Sequence, residues 1–153
     1  MYDVVFINNL SEFLEHNQII SLLKDQMDYI DSPKTNEELI HTIKLAFRTE
    51  CAKLICISER GHIIGFAFFN VCVGMESAGK YIWLNEMHIH KDFRGKGFGT
   101  VLFKEIEKWC IDNEIVRILG MTTEKEKRTL NFYKKQGSVT FSQDIFSLKL
   151  PKK

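Results

Sequence analysis

Proline is scarce in this chain of 153 residues. There are two, Pro33 and Pro151, and no Gly/Ser-rich stretch accompanies either. That excludes an evident interdomain linker, and there is no internal repeat or low-complexity tract. The length suits a single domain, 1–153, with a core of its own. Net charge is also nearly absent, 21 Lys and Arg against 20 Asp and Glu giving +1. No global field therefore points to nucleic acid or an anionic membrane as partner. No apolar run is long enough to span a bilayer. The opening M-Y-D-V-V-F-I-N-N-L lacks the basic and long apolar regions of a secretory leader. Cys51, Cys56, Cys72 and Cys110 show no C-x-x-C spacing, and three of them lie inside apolar runs. The expectation is buried free thiols in a reducing cytoplasm. Otherwise the composition, 44% hydrophobic and 27% charged, is that of an ordinary globular protein, and homodimerisation is left open.

What is present is a regular alternation of short apolar runs and amphipathic stretches. Residues 4–7 read as a strand. Ser11 can cap a helix running to about Met27, with Leu14, Ile19, Leu22 and Leu23 apolar. Thr35 and Glu38 form a capping-box pattern ahead of Leu39, Ile43 and Phe47, which share a helical face. Residues 53–58 and 63–73 are strands joined by the turn E-R-G-H, hence an antiparallel hairpin. Residues 81–90 form a further strand, 101–113 a helix and 115–121 a strand. Thr123 and Glu126 pattern as a capping box for a helix ending at Gly137, and short strands at 139–141 and 145–150 complete the chain. The order β-α-α-β-β-β-α-β-α-β-β predicts a mixed α/β fold with about four helices. Its central sheet is mostly antiparallel, and the strand–helix–strand unit over 81–121 supplies one parallel pair.

The segment H-K-D-F-R-G-K-G-F-G-T, from His90 to Thr100, follows a strand and opens a helix. Glycines admit positive φ and let backbone N–H groups approach a ligand. The helix start adds unpaired donors and partial positive charge, and Arg94 and Lys96 add full charges. No Asp or Glu occurs between Phe93 and Lys104. A pyrophosphate suits such a site, and the bland alternative is a flexible turn with solvated charges. The G-x-x-x-x-G-K-[ST] loop is absent. A dinucleotide fingerprint starting at Gly95 would need Gly or Ala where Thr100 stands.

The run R-G-K-G-F-G, from Arg94 to Gly99, matches R/Q-x-x-G-x-G/A and resembles the signature of the GNAT superfamily of acyl-CoA N-acyltransferases. The element order is similar over essentially the whole chain. The resemblance implies acetyl-CoA as cosubstrate. Its pyrophosphate would be lined by Arg94, Gly95, Lys96, Gly97, Phe98, Gly99 and Thr100, and its pantetheine arm held along Met87, His88 and Ile89. The later run T-L-N-F-Y-K-K-Q-G resembles the family's F/L-Y-x-x-x-G helix end, which implies that the Tyr133 hydroxyl serves the thioester sulfur as an acid. Two positions depart from the pattern: Glu126 stands where the family often has Asn, and Ser138 where it usually has Phe.

Transfer to an amine needs a base, because a lysine-like amine with a pKa of about 10 is mostly protonated at neutral pH. Glu86 interrupts an apolar strand near its carboxyl end and is the candidate base. His88 lies on the same face by alternation and is the rival. His88 and His90 form H-x-H, but no third ligand lies nearby in sequence, so no metal is expected. Asp25, Asp28 and Asp31 group at the end of the first helical region, where acidic groups would favour a polycationic amine. The alternative for them is a solvated helix end. The run N-F-Y-K-K-Q-G-S and this acidic region also resemble diamine N-acetyltransferases. The expected activity is thus acetyl transfer to a small basic amine. The alternatives are a protein lysine or N-terminus as acceptor, or a non-catalytic acyl-CoA-binding module.

Overall fold

The computed structural model describes every residue except Glu124 and Lys153. The chain divides into two compact units, Met1–Met121 and Thr122–Lys153.

The first unit is a five-stranded sheet with helices. Its strands are β1 (Tyr2–Ile7), β2 (Ala52–Glu59), β3 (His62–Gly74), β4 (Gly79–Ile89) and β5 (Ile115–Gly120), and they pair in that spatial order. The first three pairings are antiparallel and β4–β5 is parallel, as the sequence predicts. Arg60 and Gly61, at φ 51° and 80°, make the two-residue turn between β2 and β3. Left-handed values at both central positions match the twist of a hairpin.

Three helices precede β2: α1 (Leu10–Glu15), α2 (Asn17–Tyr29) and α3 (Asn36–Phe47). The single helix expected from Ser11 is two helices, broken at His16, whose φ and ψ are −112° and 76°. The first starts two residues earlier than expected. Asn9 accepts from the Glu12 N–H at 2.9 Å, and the Glu12 carboxylate accepts from the Asn8 N–H at 2.8 Å. That pair satisfies more of the helix's first donors than Ser11 could. The capping box at Thr35 and Glu38 forms as expected, at 3.1 and 2.9 Å.

Ile19, Leu22 and Leu23 of α2 and Leu39 and Ile43 of α3 bury one helical face against Leu54, Cys56 and Phe66. Phe6 and Phe69 point away from that cluster and meet Trp109, with ring centroids 5.8 and 5.3 Å apart. Trp109 belongs to α4 (Phe98–Asp112), the crossover between the parallel strands. Cys56 and Cys110 are buried free thiols, while Cys51 is exposed.

The second unit contains α5 (Lys127–Lys135). Its N-cap is Glu126, not Thr123, which instead accepts the Glu126 N–H through its own carbonyl at 3.0 Å. Gly137, at φ 91°, ends the helix as expected: Ser138 donates to the Tyr133 carbonyl and Gly137 to that of Lys134. The strands expected at 139–141 and 145–150 are not formed, and residues 138–152 hold no regular element. Their apolar side chains, Val139 and Phe141 in the first and Phe146, Leu148 and Leu150 alternating in the second, are exposed. Alternation confers strand propensity, but a strand exists only when a ladder satisfies its backbone.

Candidate active site

The site is built on β4, which changes character partway along. Up to Leu84 it is paired on both sides, and its last partner in β5 is Gly120. The register against β3 then slips: Phe69 faces Leu84 but Phe68 faces Glu86, so Asn85 is the extra residue of a bulge. The Asn70 side-chain amide donates to the Asn85 side-chain oxygen at 2.8 Å and pins the bulge. Beyond it, Glu86, Met87, His88 and Ile89 remain paired with Phe68, Ala67, Phe66 and Gly65, while the β5 ladder has ended. Among the described residues, no strand pairs with the other backbone edge of this half-strand, the open edge. Gly65 permits the close pairing at its end, since a Cβ there would collide with the Ile89 side chain and the His88 carbonyl.

The strand then turns. The His90 N–H donates to the Ile64 carbonyl at 2.8 Å, and a 3₁₀ turn covers Lys91–Phe93. The Arg94 Nε–H donates back to the Ile89 carbonyl at 2.8 Å, and its guanidinium lies 5.8 Å from the Tyr29 ring centre. Gly95 and Gly97 have φ of 74° and 86°, and nothing approaches within 4 Å of where a Cβ would stand. Gly97 is the N-cap of α4, with no side-chain cap and no acidic residue in the first turn. The helix begins three residues before the expected position, so its first turn falls within the glycine-rich run. Phe98 is buried and meets Phe93 edge-to-face, ring centroids 6.4 Å apart, so it offers the turn its backbone, not its ring.

A strand opened at a bulge, leading into glycines of positive φ and an uncapped helix start, is the arrangement the signature run implies. A sequence profile of the acetyltransferase (GNAT) family matches residues 16–137. The chain belongs to this family. It is accordingly an N-acetyltransferase with acetyl-CoA as cosubstrate, and the profile match crosses both units. Solved GNAT-like structures share the fold. A GNAT family acetyltransferase of Staphylococcus aureus has 21% identity and a TM-score of 0.77, over 97% of this chain and 98% of that one. The aminoglycoside N-acetyltransferase AAC(6')-Iy, solved with CoA, has 15% identity and a TM-score of 0.80, covering 97% and 95%. A ribosomal-protein-alanine N-acetyltransferase of Brucella melitensis has 12% identity and a TM-score of 0.74, covering 98% and 100%.

The two candidate bases of this GNAT chain differ sharply in environment. Glu86 is half-buried, and burial raises its pKa to about 7, near the value a general base needs at neutral pH. His88 is buried against Phe66, with its Nδ1 2.9 Å from the Gln26 side-chain oxygen. Burial first, and the Arg94 charge after it, lower its pKa to about 4. His90 lies beside Asp92 at 3.7 Å. Among the described residues, no group of three His, Cys, Asp or Glu could hold a metal.

The three aspartates do not converge. Asp25 lines a groove of about 340 Å³ between α2 and the ends of β3 and β4, with Gln18, His62, His90 and Phe93. Asp28 and Asp31 are exposed and are not among its walls, and Asp31 has a φ of 56° just past α2. Tyr133 lies on α5 in the second unit, where burial raises its pKa to about 12. Sequence reasoning missed Asn85, Asn70 and Gln26. Asparagines at 70 and 85 inside otherwise apolar strands were the available signal for the bulge, whereas nothing local marks Gln26 as a partner of His88.

Proposed function

We propose that this GNAT enzyme acetylates a small basic amine, with a polyamine as the acceptor best suited to Asp25, Asp28 and Asp31. The supporting observation is a continuity: the half-strand 86–89 has one open edge and runs within a few residues into the uncapped start of α4. The open edge offers N–H and C=O groups to the amides of a pantetheine arm, as a neighbouring strand would. The N–H groups at 95–100, with Arg94 and Lys96, suit a pyrophosphate.

Glu86 removes a proton from the acceptor ammonium, directly or through water. The neutral nitrogen then attacks the acetyl carbonyl, and the N–C bond forms as the oxygen gains charge. Backbone N–H groups near Met87 face that charge. The C–S bond then breaks, the thiolate takes the phenolic proton of Tyr133, and the nitrogen, cationic since the attack, gives up its second proton to return the phenolate to phenol. That phenol holds its proton across the physiological range, since its pKa is about 12. The acidic groups at the end of α2 raise the local concentration of a polycation.

The test is incubation with acetyl-CoA and a panel of spermidine, an aminoglycoside, a lysine peptide and an alanine-terminated peptide. Free thiol is followed and the product is identified by mass. Acetylated spermidine, formed preferentially, is the expected result. Acetylation of peptides alone would replace the small-amine reading with a protein acceptor. Acetyl-CoA binding without thiol release from any acceptor would leave a binding module.

A further inference from the structure

One buried polar contact joins α2 to β4 and has no part in the chemistry above. Among the described residues His88 is the buried polar side chain, 6% exposed. Its Nδ1 faces the Gln26 side-chain oxygen at 2.9 Å. An amide oxygen only accepts, so Nδ1 carries the proton and the neutral ring keeps Nε2 as an acceptor. The charged and titratable groups acting on the ring are Arg94 from the turn, Asp25 from α2, and His90 just past the end of β4. From β3 it meets the Phe66 ring. Glu86 and His88 are alternate residues beyond the bulge, on one face, with Cα atoms about 7 Å apart. A cation at His88 would stand on the strand face that Glu86 shares.

We propose that Gln26, acting through His88, is a positioning residue of the acetyl-transfer site. It holds the imidazole as a fixed, uncharged bridge between α2 and β4, which seats the open strand edge and leaves the Glu86 carboxyl without a cationic neighbour on its own face. This rests on the reading of Glu86 as the base. The helix that Gln26 belongs to also carries Asp25 and Asp28, so the contact ties the acidic acceptor side to the cosubstrate strand.

The experiment compares wild type with Gln26→Glu, which keeps the shape but favours an imidazolium, and Gln26→Leu, which removes the acceptor. Histidine rings labelled with ¹⁵N and glutamates with ¹³C are titrated by NMR, and circular dichroism checks each fold. Wild-type His88 should remain a neutral Nδ1–H tautomer from about pH 5 to about pH 9. Gln26→Glu should raise the His88 midpoint by about two units and lower that of Glu86 by about one. The acid limb of kcat/KM should move with Glu86, while KM for acetyl-CoA stays within about twofold. Gln26→Leu should weaken acetyl-CoA binding about five- to tenfold, leaving an unpaired N–H next to the strand edge. A wild-type His88 that titrates near its ordinary value would overturn the proposal. So would a Glu86 midpoint unmoved in Gln26→Glu. The NMR readout requires no turnover. A protein that releases no thiol with any acceptor would refute the catalytic reading, while the coupled titration still decides this one.

Discussion

The two halves of β4 are one strand with two environments. Before Asn85, the run Tyr81-Ile82-Trp83-Leu84 lies between two ladders, and Ile82 is fully buried. After it, Glu86-Met87-His88-Ile89 keeps one ladder and carries two titratable side chains whose pKa values move in opposite directions. Burial is the leading cause in both. It penalises the charged form, so it raises a carboxyl and lowers an imidazole. A single inserted residue thus separates the part of the strand that holds the sheet together from the part that is left able to react.

That contrast is sharpened most by a residue outside both halves. Tyr133→Phe should lower kcat by roughly 10²- to 10⁴-fold, the usual worth of a general acid, with acetyl-CoA affinity nearly unchanged. Steady-state kinetics with direct binding measurements checks this, and full activity would return Tyr133 to packing. Gly97→Val should weaken acetyl-CoA binding by about 10²-fold. It forces a β-branched residue to a φ of 86° and puts methyls over the helix's first N–H groups. Calorimetry reads the loss, with thermal melting to show that the fold survives.

A matched pair breaks the comparison directly. Ile82→Ala should cost about 2–5 kcal/mol of stability, as a core truncation, with kcat in the surviving folded protein near wild type. Glu86→Gln should do the opposite. If the base must be ionised, wild-type kcat/KM rises with pH through about 7. The variant should lose about 10- to 10²-fold, most where the acceptor is fully protonated and least where it is already neutral. The sign for stability is also fixed. The Glu86 pKa is raised in the fold from 4.5 to about 7, so its favourable contribution is complete at acid pH and lost as pH climbs through 7. Relative to wild type, Glu86→Gln should therefore gain on the order of 1–3 kcal/mol between about pH 4 and about pH 8. Denaturant melts at the two pH values check it. The smallest effect belongs to the acidic end of α2. Asn replacements at Asp25, Asp28 and Asp31 should each raise KM for spermidine about two- to fivefold at low salt, with kcat unaltered and the effect fading in about 0.5 M salt.

Much of this arrangement could be read from residues alone, because it is local. The turn announced itself through its glycines and cations and through the absence of acids between Phe93 and Lys104, and the Thr35 capping box through spacing. Nearly every strand was legible from its apolar run. The failures have other causes. The break at His16 leaves the apolar spacing of the flanking helices undisturbed, so periodicity did not reveal it. The bulge at Asn85 shifts the side-chain alternation by one residue, and register against β3 is set across the hairpin rather than within β4. Gln26 and His88 lie 62 positions apart, and their contact exists only once α2 is laid on the sheet. At 139–150 the pattern suits strands, but strand pairing is decided by partners, not by the pattern.

The bare start of α4 has a practical consequence. With Gly97 as its cap, no side-chain cap and no acid in the first turn, the helix start is suited to an anion from solution. A helix whose end is completed from outside makes thermal stability a reporter of dissolved anions. Polyvalent ones should raise the melting temperature in order of charge density. The same anions compete with the cosubstrate, so affinities measured in phosphate will understate those measured in a zwitterionic buffer.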